Sequence, residues 1–190
     1  MTDTLVLPFA ERLLTCLCEA LQDTIGGTPC QCALRPGTAP PPADVCCACE
    51  SGQGQASVQI TDIFPVVAGR FPQRGVTGTL TNCADYEWAA ELTMTVYRCV
   101  SVADEQGFPS FDELMNDSRK IADDAQAMRR ALLCCDWRNT PPPPGREQGD
   151  TMPIVPGSWR AQNPQGGCAG GTMSVVVFVG SECCPAPVVP

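Results

Sequence analysis

The chain begins with a pattern typical of an amphipathic helix. Between residues 5 and 25, apolar side chains recur every three or four positions, and most charged side chains lie on the opposite side. Pro8 suits only the first turn of a helix, so we expect the regular helix to begin at or just before it. Gly26 and Gly27 predict where this helix ends.

A second helix is predicted over residues 110–135. Ser110 and Glu113 form the S-x-x-E pattern of a capping box, directly after a proline. Acidic residues lie towards the first turn and arginines near the last, as the helix dipole favours. The apolar residues trace one stripe that we expect to face the core: Phe111, Leu114, Met115, Ile121, Ala122, Ala125, Met128 and Leu132.

Alternation of apolar and polar residues predicts three strands. Residues 56–64 and 88–100 each show one apolar and one polar face, which is typical of half-buried strands. The third strand ends the stretch 163–180, in which Val176 and Phe178 make the second face apolar as well. A strand with two apolar faces belongs near the middle of a sheet, between or beside strands formed earlier in the chain.

The predicted element order is helix, strand, strand, helix, strand. Two amphipathic helices packed on a mainly antiparallel sheet satisfy this order, so the predicted fold class is α+β. We expect a single domain over residues 1–190, with room for one more short strand at 76–82. Three segments lack periodicity and are expected to be irregular: the Cys/Pro-rich loop 28–55, the Pro-rich insertion 139–162 and the extended tail 181–190.

Composition and charge narrow the range of functions. The formal net charge is −9, and an acidic surface repels nucleic-acid phosphates and anionic membranes. The chain contains no histidine, which removes His-based catalytic triads, His-bearing metal sites and the commonest general base. We therefore expect a protein that is not an enzyme. No apolar window reaches the length of a membrane span and the N-terminus lacks a signal-peptide pattern, so we expect synthesis in a cytoplasm and no membrane contact.

The loop 28–55 concentrates cysteines that could bind a metal. Zinc bound by four cysteines needs two facing pairs, and the spacing here matches that pattern only in part. The alternatives are disulfides that close the loop, each worth about 3 kcal/mol for a 15-residue loop, or free thiols. No other cofactor is expected. The candidate metal ligands are Cys30, Cys32, Cys46, Cys47 and Cys49.

The other cysteines of the 14 in the chain lie mainly at the ends of predicted elements. Cys16 and Cys18 lie within the first helix and are expected to be thiols that act as small apolar side chains. Cys99 is a candidate to pair with Cys134 or Cys135, because element ends converge in compact folds, although spacing cannot establish the connectivity. The full set of candidate disulfide cysteines is Cys30, Cys32, Cys46, Cys47, Cys49, Cys83, Cys99, Cys134, Cys135 and Cys168.

A glycine-rich segment precedes the last strand. Phosphate-binding loops follow a strand and open a helix, whereas this segment leads into a strand, so phosphate binding is disfavoured. We expect a structural turn that requires either positive φ or close approach of backbones. Its glycines are Gly166, Gly167, Gly170 and Gly171.

Several of these features occur together in one kind of protein. They are a leading helix with Cys16-x-Cys18, a Cys-rich loop, a strand ending in Tyr97-Arg98-Cys99, a helix closing in Cys134-Cys135 and the stretch PQGGCAGG before the last strand. These features cover most of the chain, and in them the chain resembles small virion proteins from tailed phages of actinobacteria. The element order is similar to that of tail-terminator and neck-completion proteins of long-tailed phages. The long Pro-rich insertions of this chain depart from the compact pattern of those proteins.

The resemblance implies a structural role in the virion neck. In such proteins an α+β subunit forms a ring, typically a hexamer, at the head-proximal end of the tail tube. The implied partners are other copies of the chain, the tail tube protein and a head-side connector protein, while DNA passes through the lumen without specific binding. Assembly in the host cytoplasm and location in the virion follow. The alternatives are a head-closure or adaptor neck protein and a cysteine-rich zinc-binding module.

Overall fold

The computed structural model describes residues 6–37, 46–47, 54–67, 69–75, 86–103, 107–137, 153–165 and 167–180. Within these residues the chain forms two helices and five strands, which confirms the predicted α+β class. In chain order the elements are α1 (Leu7–Gln22), β1 (Gln31–Arg35), β2 (Gln55–Val67), β3 (Tyr86–Cys99), α2 (Phe111–Cys134), β4 (Ile154–Gln165) and β5 (Cys168–Gly180).

The strands form one sheet in the order β1-β2-β3-β5-β4. β1 pairs with β2 in parallel, and the remaining neighbours are antiparallel. The last strand, β5, is inserted between β3 and β4, which confirms the interior position predicted from its two apolar faces. β3 lies at the centre of the sheet, with β2 on one side and β5 on the other.

Two strands lie in segments that the sequence assigned to irregular structure. β1 falls inside the loop 28–55, and β4 begins inside the insertion 139–162 and extends to Gln165, so both assignments were wrong at these positions. β1 and β4 are the outer strands of the described sheet, and their side chains are mostly exposed or half-buried. Outer strands need no apolar alternation and tolerate proline, which explains why the sequence of neither β1 nor β4 showed a strand pattern.

The hydrophobic core lies between the sheet and the two helices. α1 contacts β2, α2 contacts β5, and the helices contact each other, so both cover the same face of the sheet. On β3 this face carries Ala90, Leu92, Met94 and Val96, all of which are buried. The predicted apolar face of this strand is therefore its core face. The predicted short strand at 76–82 and the tail 181–190 lie outside the described residues.

Both helices begin as their sequences indicate. α1 has a proline within its first two positions. At the start of α2, the Ser110 Oγ accepts a hydrogen bond from the Glu113 backbone N–H, and the Glu113 carboxylate accepts one from the Ser110 backbone N–H. The predicted capping box is therefore confirmed, and it fixes the first turn of α2.

Candidate functional site

Four cysteines converge where β3 ends and β5 begins. Cys99 and Cys168 are opposite each other on these neighbouring strands. They do not bond to each other; Cys168 bonds to Cys46, and Cys99 bonds to Cys47. The Sγ atoms of the adjacent Cys46 and Cys47 are 3.6 Å apart. We call Cys46, Cys47, Cys99 and Cys168 the four-sulfur cluster.

The four-sulfur cluster has a buried side and an accessible side. Cys46 and Cys168 are buried, Cys99 is half-buried and Cys47 is exposed. Tyr97 packs against the buried side, and burial raises the pKa of its phenol. The tyrosine therefore stays neutral at physiological pH. Solvent and solutes reach the cluster through Cys47.

Two disulfides outside the four-sulfur cluster tie down α1. Cys16 of α1 bonds to Cys135 at the end of α2, and Cys18 bonds to Cys32 of β1. The expectation that Cys16 and Cys18 are buried thiols was therefore wrong. The prediction that Cys99 pairs with Cys134 or Cys135 was also wrong, because Cys99 bonds to Cys47. The helical pattern around Cys16 showed that it is buried but could not show what faces it.

The remaining cysteine predictions have mixed outcomes. Cys134 carries an exposed free thiol. Cys30 is disulfide-bonded, and its sulfur lies 3.0 Å from the Gly54 carbonyl oxygen. Cys49 and Cys83 lie outside the described residues.

The candidate metal ligands of the loop 28–55 do not come together as predicted. Cys32 is bonded to α1, whereas Cys46 and Cys47 are bonded to the ends of β3 and β5. Among the residues that the structure describes, the sulfurs within metal-binding distance of one another are instead those of Cys46, Cys47 and Cys168, whose Sγ atoms all lie within 4.8 Å. Cys168 was considered only for disulfides, because nothing in the spacing links it to residue 46.

The glycine-rich segment combines one turn position with two strand positions. Gly167 has a φ of 82°, in the left-handed region that favours glycine. Gly170 and Gly171 lie within β5, so assigning them to a turn was wrong. A Cβ atom on Gly170 would collide with the Val96 backbone, and one on Gly171 would collide with the indole of Trp159. Close approach is thus the reason for these two glycines; Gly166 lies outside the described residues.

Arg98, at the end of β3, is 1% exposed and makes a buried ion pair that the sequence predictions missed. Its Nε and one terminal nitrogen donate to the Asp124 carboxylate of α2, both at 2.7 Å. The terminal nitrogen that bonds Asp124 also donates to the Thr24 hydroxyl at 3.3 Å, and the other terminal nitrogen donates to the Gly26 and Gly27 carbonyl oxygens. Arg98 therefore joins β3 and α2 to the turn that follows α1.

The first half of α2 presents apolar side chains to solvent. The predicted stripe was expected to pack on the core along its whole length, but only its second half does so; Met128 and Leu132 are buried. Phe111 is 75% exposed, and Phe108, just before the helix, is 93% exposed. We call the group Val102, Phe108, Phe111, Leu114 and Met115 the α2 surface; all five side chains are exposed.

A second group of exposed apolar side chains lies at the opposite end of the sheet. Trp88, near the start of β3, pairs with Pro65 of β2, and Ile63 and Val67 flank that proline. The side chains of Ile63, Val67 and Trp88 are exposed. β3 runs from this end towards the α2 surface, and ten residues of strand separate Trp88 from Arg98, or about 33 Å at 3.3 Å per residue. We call Ile63, Val67 and Trp88 the β2–β3 surface.

One groove of about 280 Å³ opens between the two helices. It adjoins the disulfide between Cys16 and Cys135, and its polar lining includes Glu19 and Arg130. Cys134 lies in its wall with an exposed thiol. An apolar groove with one carboxylate and one guanidinium lacks the convergent polar groups that a specific small-molecule site uses.

Comparisons with known proteins add no assignment. No protein-family model matches the chain, and no curated protein sequence matches it. Within the described residues, no helix combines the length and the apolar character needed to cross a bilayer.

Proposed function

We propose that this protein is a structural virion protein of a tailed phage, a tail terminator that forms a ring at the head-proximal end of the tail tube. The observation that supports this most is the α2 surface. A helix whose apolar stripe continues well beyond its own core is typical of a subunit that buries the remainder against a neighbour.

The size of the α2 surface suits a protein interface. A buried aromatic side chain covers about 150–250 Å², so Phe108 and Phe111 alone supply roughly 300–400 Å² of the ~800 Å² that each partner buries in a standard interface. Aromatic side chains are also among the residues that dominate binding energy in many interfaces. The aliphatic members of the α2 surface add further apolar area.

The outer strands of the sheet are poorly suited to association by strand addition. β1 is only five residues long and is tied to α1 through Cys32. β4 carries Pro156 and Pro164, and its pairing with β5 shifts register at two places. Short strands, prolines and irregular pairing are features that protect sheet edges from other chains. Contacts between subunits are therefore assigned to side-chain surfaces.

The two apolar surfaces lie at opposite ends of the sheet, which favours a head-to-tail contact. In such a contact, the α2 surface of one subunit packs on the β2–β3 surface of the next. Contacts between two different surfaces generate a closed ring when the rotation between subunits closes. A ring is the assembly that the tail-terminator role requires, with the tail tube protein on one side and a head-side connector protein on the other.

A single substitution in full-length protein tests this assignment. Phe111→Ser removes the aromatic side chain that α2 contributes to the α2 surface. Leu133→Ser removes an exposed apolar side chain from the other end of α2 and is the matched control. Loss of about 2–3 kcal/mol per contact would weaken subunit association by roughly 30- to 150-fold. Light scattering over a concentration series and electron microscopy of tail tubes mixed with the protein provide the readouts.

The expected result is a ring on tube ends with wild type and with Leu133→Ser, and monomer with Phe111→Ser. A wild-type protein that stays monomeric and never caps tail tubes would refute the assignment. Binding to portal-side complexes instead of tube ends would indicate a head-closure or adaptor protein. Equal assembly by both variants would show that the α2 surface is not the interface.

A further inference from the structure

The arrangement of the four-sulfur cluster is unusual for a pair of independent disulfides. Two adjacent cysteines, 46 and 47, each bond to one member of a cross-strand pair, Cys168 and Cys99. Two cysteines in fixed strand positions therefore face two cysteines on a neighbouring segment. Two facing pairs of thiolates are what a tetrahedral four-cysteine zinc site requires.

Three of the four sulfurs already lie as close together as the ligands of one zinc ion, and the fourth, that of Cys99, is bonded to one of them. With Zn–S bonds of about 2.3 Å, the sulfurs of a regular tetrahedron lie about 3.8 Å apart. Cys46 Sγ and Cys47 Sγ are 3.6 Å apart, and Cys168 Sγ lies within 4.8 Å of both. Once the disulfides are reduced, a tetrahedron requires side-chain rotations that move the bonded sulfurs apart by about 2 Å and bring Cys99 Sγ towards Cys46 and Cys168.

We propose that the reduced protein binds one zinc ion through Cys46, Cys47, Cys99 and Cys168, and that bound zinc and the two disulfides are alternative states of the same sulfurs. The buried side of the cluster excludes water, and the exposed Cys47 provides the entry path that a metal site needs. The strand ends carrying Cys99 and Cys168 are held together in either state, because the Val100 N–H donates to the Gly167 carbonyl oxygen at 2.8 Å.

The conversion needs a reductant, and a dithiol is the class that supplies it. Each protein disulfide takes two electrons and two protons from one dithiol, so two dithiols become two cyclic disulfides and the protein gains four thiols. One Zn²⁺ then displaces four protons and forms four Zn–S bonds. Oxidation by a disulfide of the same class releases the ion and restores the two protein disulfides. The proposal does not depend on ring assembly.

The test uses the whole chain with Cys134→Ser, which removes the free thiol found within the described residues. The protein is reduced with a dithiol without oxygen, mixed with Zn²⁺, desalted and measured for zinc. We expect about one zinc per chain in the reduced protein and none in the oxidised protein. Co²⁺ in place of zinc should give the intense thiolate charge-transfer absorption of a tetrahedral sulfur site.

Two double variants locate the site. Cys99→Ser with Cys168→Ser should lower zinc binding at least 100-fold, whereas Cys18→Ser with Cys32→Ser, which removes a disulfide elsewhere, should leave it unchanged. Circular dichroism checks that each reduced variant is folded. Alkylation of the wild-type cysteines, followed by peptide mass spectrometry, gives a second readout that needs no variant. Zinc should protect residues 46, 47, 99 and 168 and leave 18 and 32 reactive.

Three results would overturn the proposal. The first is a reduced wild-type protein that retains no zinc. The second is undiminished zinc binding in the folded Cys99/Cys168 double variant. The third is an alkylation pattern in which zinc protects any other set of four cysteines. Loss of ring assembly without loss of zinc would refute the tail-terminator assignment alone and leave this proposal standing.

Discussion

The buried ion pair of Arg98 and Asp124 offers the most direct test of how this fold is held together. We predict that Asp124→Asn destabilises the protein strongly, although the two side chains have nearly the same size. The substitution removes the negative charge that faces a buried guanidinium. It also places an amide where a carboxylate accepts two 2.7 Å hydrogen bonds. The Arg98 side chain is then buried without its counter-charge.

The size of the effect follows from burial and from the bonds that survive. Removing one partner of a buried ion pair costs about 3–5 kcal/mol, because the other charge is left uncompensated. The Gly26 and Gly27 carbonyls and the Thr24 hydroxyl continue to accept hydrogen bonds from Arg98, so we expect the lower value, about 3 kcal/mol. For a chain of 190 residues this corresponds to a fall in Tm of roughly 6–12 °C.

Thermal unfolding at pH 7 with the disulfides intact measures the change. Asp123→Asn is the matched control, because the Asp123 carboxylate accepts an exposed 2.8 Å bond from the Ile25 N–H, a role that an amide oxygen can also fill. We expect its effect to stay within about 0.5 kcal/mol. If Asp124→Asn lowers Tm no more than Asp123→Asn does, the ion pair does not carry the stability assigned to it.

Two further predictions concern the sheet and α2. Gly170→Ala should destabilise the protein by about 1–3 kcal/mol despite the better strand propensity of alanine, because the new methyl group meets the Val96 backbone. Gly170→Val should prevent folding. Unchanged midpoints of urea unfolding would contradict both predictions. Burial alone would raise the pKa of Asp117, but hydrogen bonds from the Ser101 backbone N–H and from Lys120 outweigh it and lower this pKa below the ordinary value of an aspartate. The ionised carboxylate therefore stabilises the fold above the unfolded-state pKa and loses this effect as the pH falls through the folded-state value, so Asp117→Asn should flatten the stability curve below about pH 4.

The sequence predicted the interior of this fold well because interior elements carry periodic patterns. The apolar alternation of β3 and the two apolar faces of β5 follow directly from their central positions in the sheet. The start of α2 was visible because Ser110 and Glu113 act over three residues, within one turn. Interactions of this kind are local, so a single sequence contains them completely.

The features that the sequence could not reveal depend on partners far apart in the chain. Cys16 bonds to a residue 119 positions away, and Cys46 to one 122 positions away, which no spacing indicates. The stripe on α2 predicted that Phe111 faces the core, whereas in the structure its side chain is 75% exposed. Arg98 and Asp124 did leave a signal, because each is a charged residue at an apolar-face position of its own element.

The last residues of β3 and the first residues after it link the four-sulfur cluster to α2. Four consecutive residues are each anchored: Arg98 by its ion pair to α2, Cys99 by its disulfide to Cys47, Val100 by its hydrogen bond to Gly167, and Ser101 by the Asp117 carboxylate of α2. Two of these anchors reach α2 itself, on either side of its middle. The direction in which α2 projects is therefore fixed by the end of β3.

This anchoring places the four-sulfur cluster and the α2 surface at the same end of the sheet. A helix that leaves the core needs a stiff base if its exposed half is to meet a neighbour in one orientation, since ordering it on contact costs conformational entropy. The Cys47–Cys99 disulfide stiffens that base directly, and a metal ion on the same sulfurs would do so as well. The Cys47–Cys99 disulfide thus lies where it fixes the attachment of α2 to the end of β3, and in the proposed ring it would hold the α2 surface in one orientation towards the neighbouring subunit.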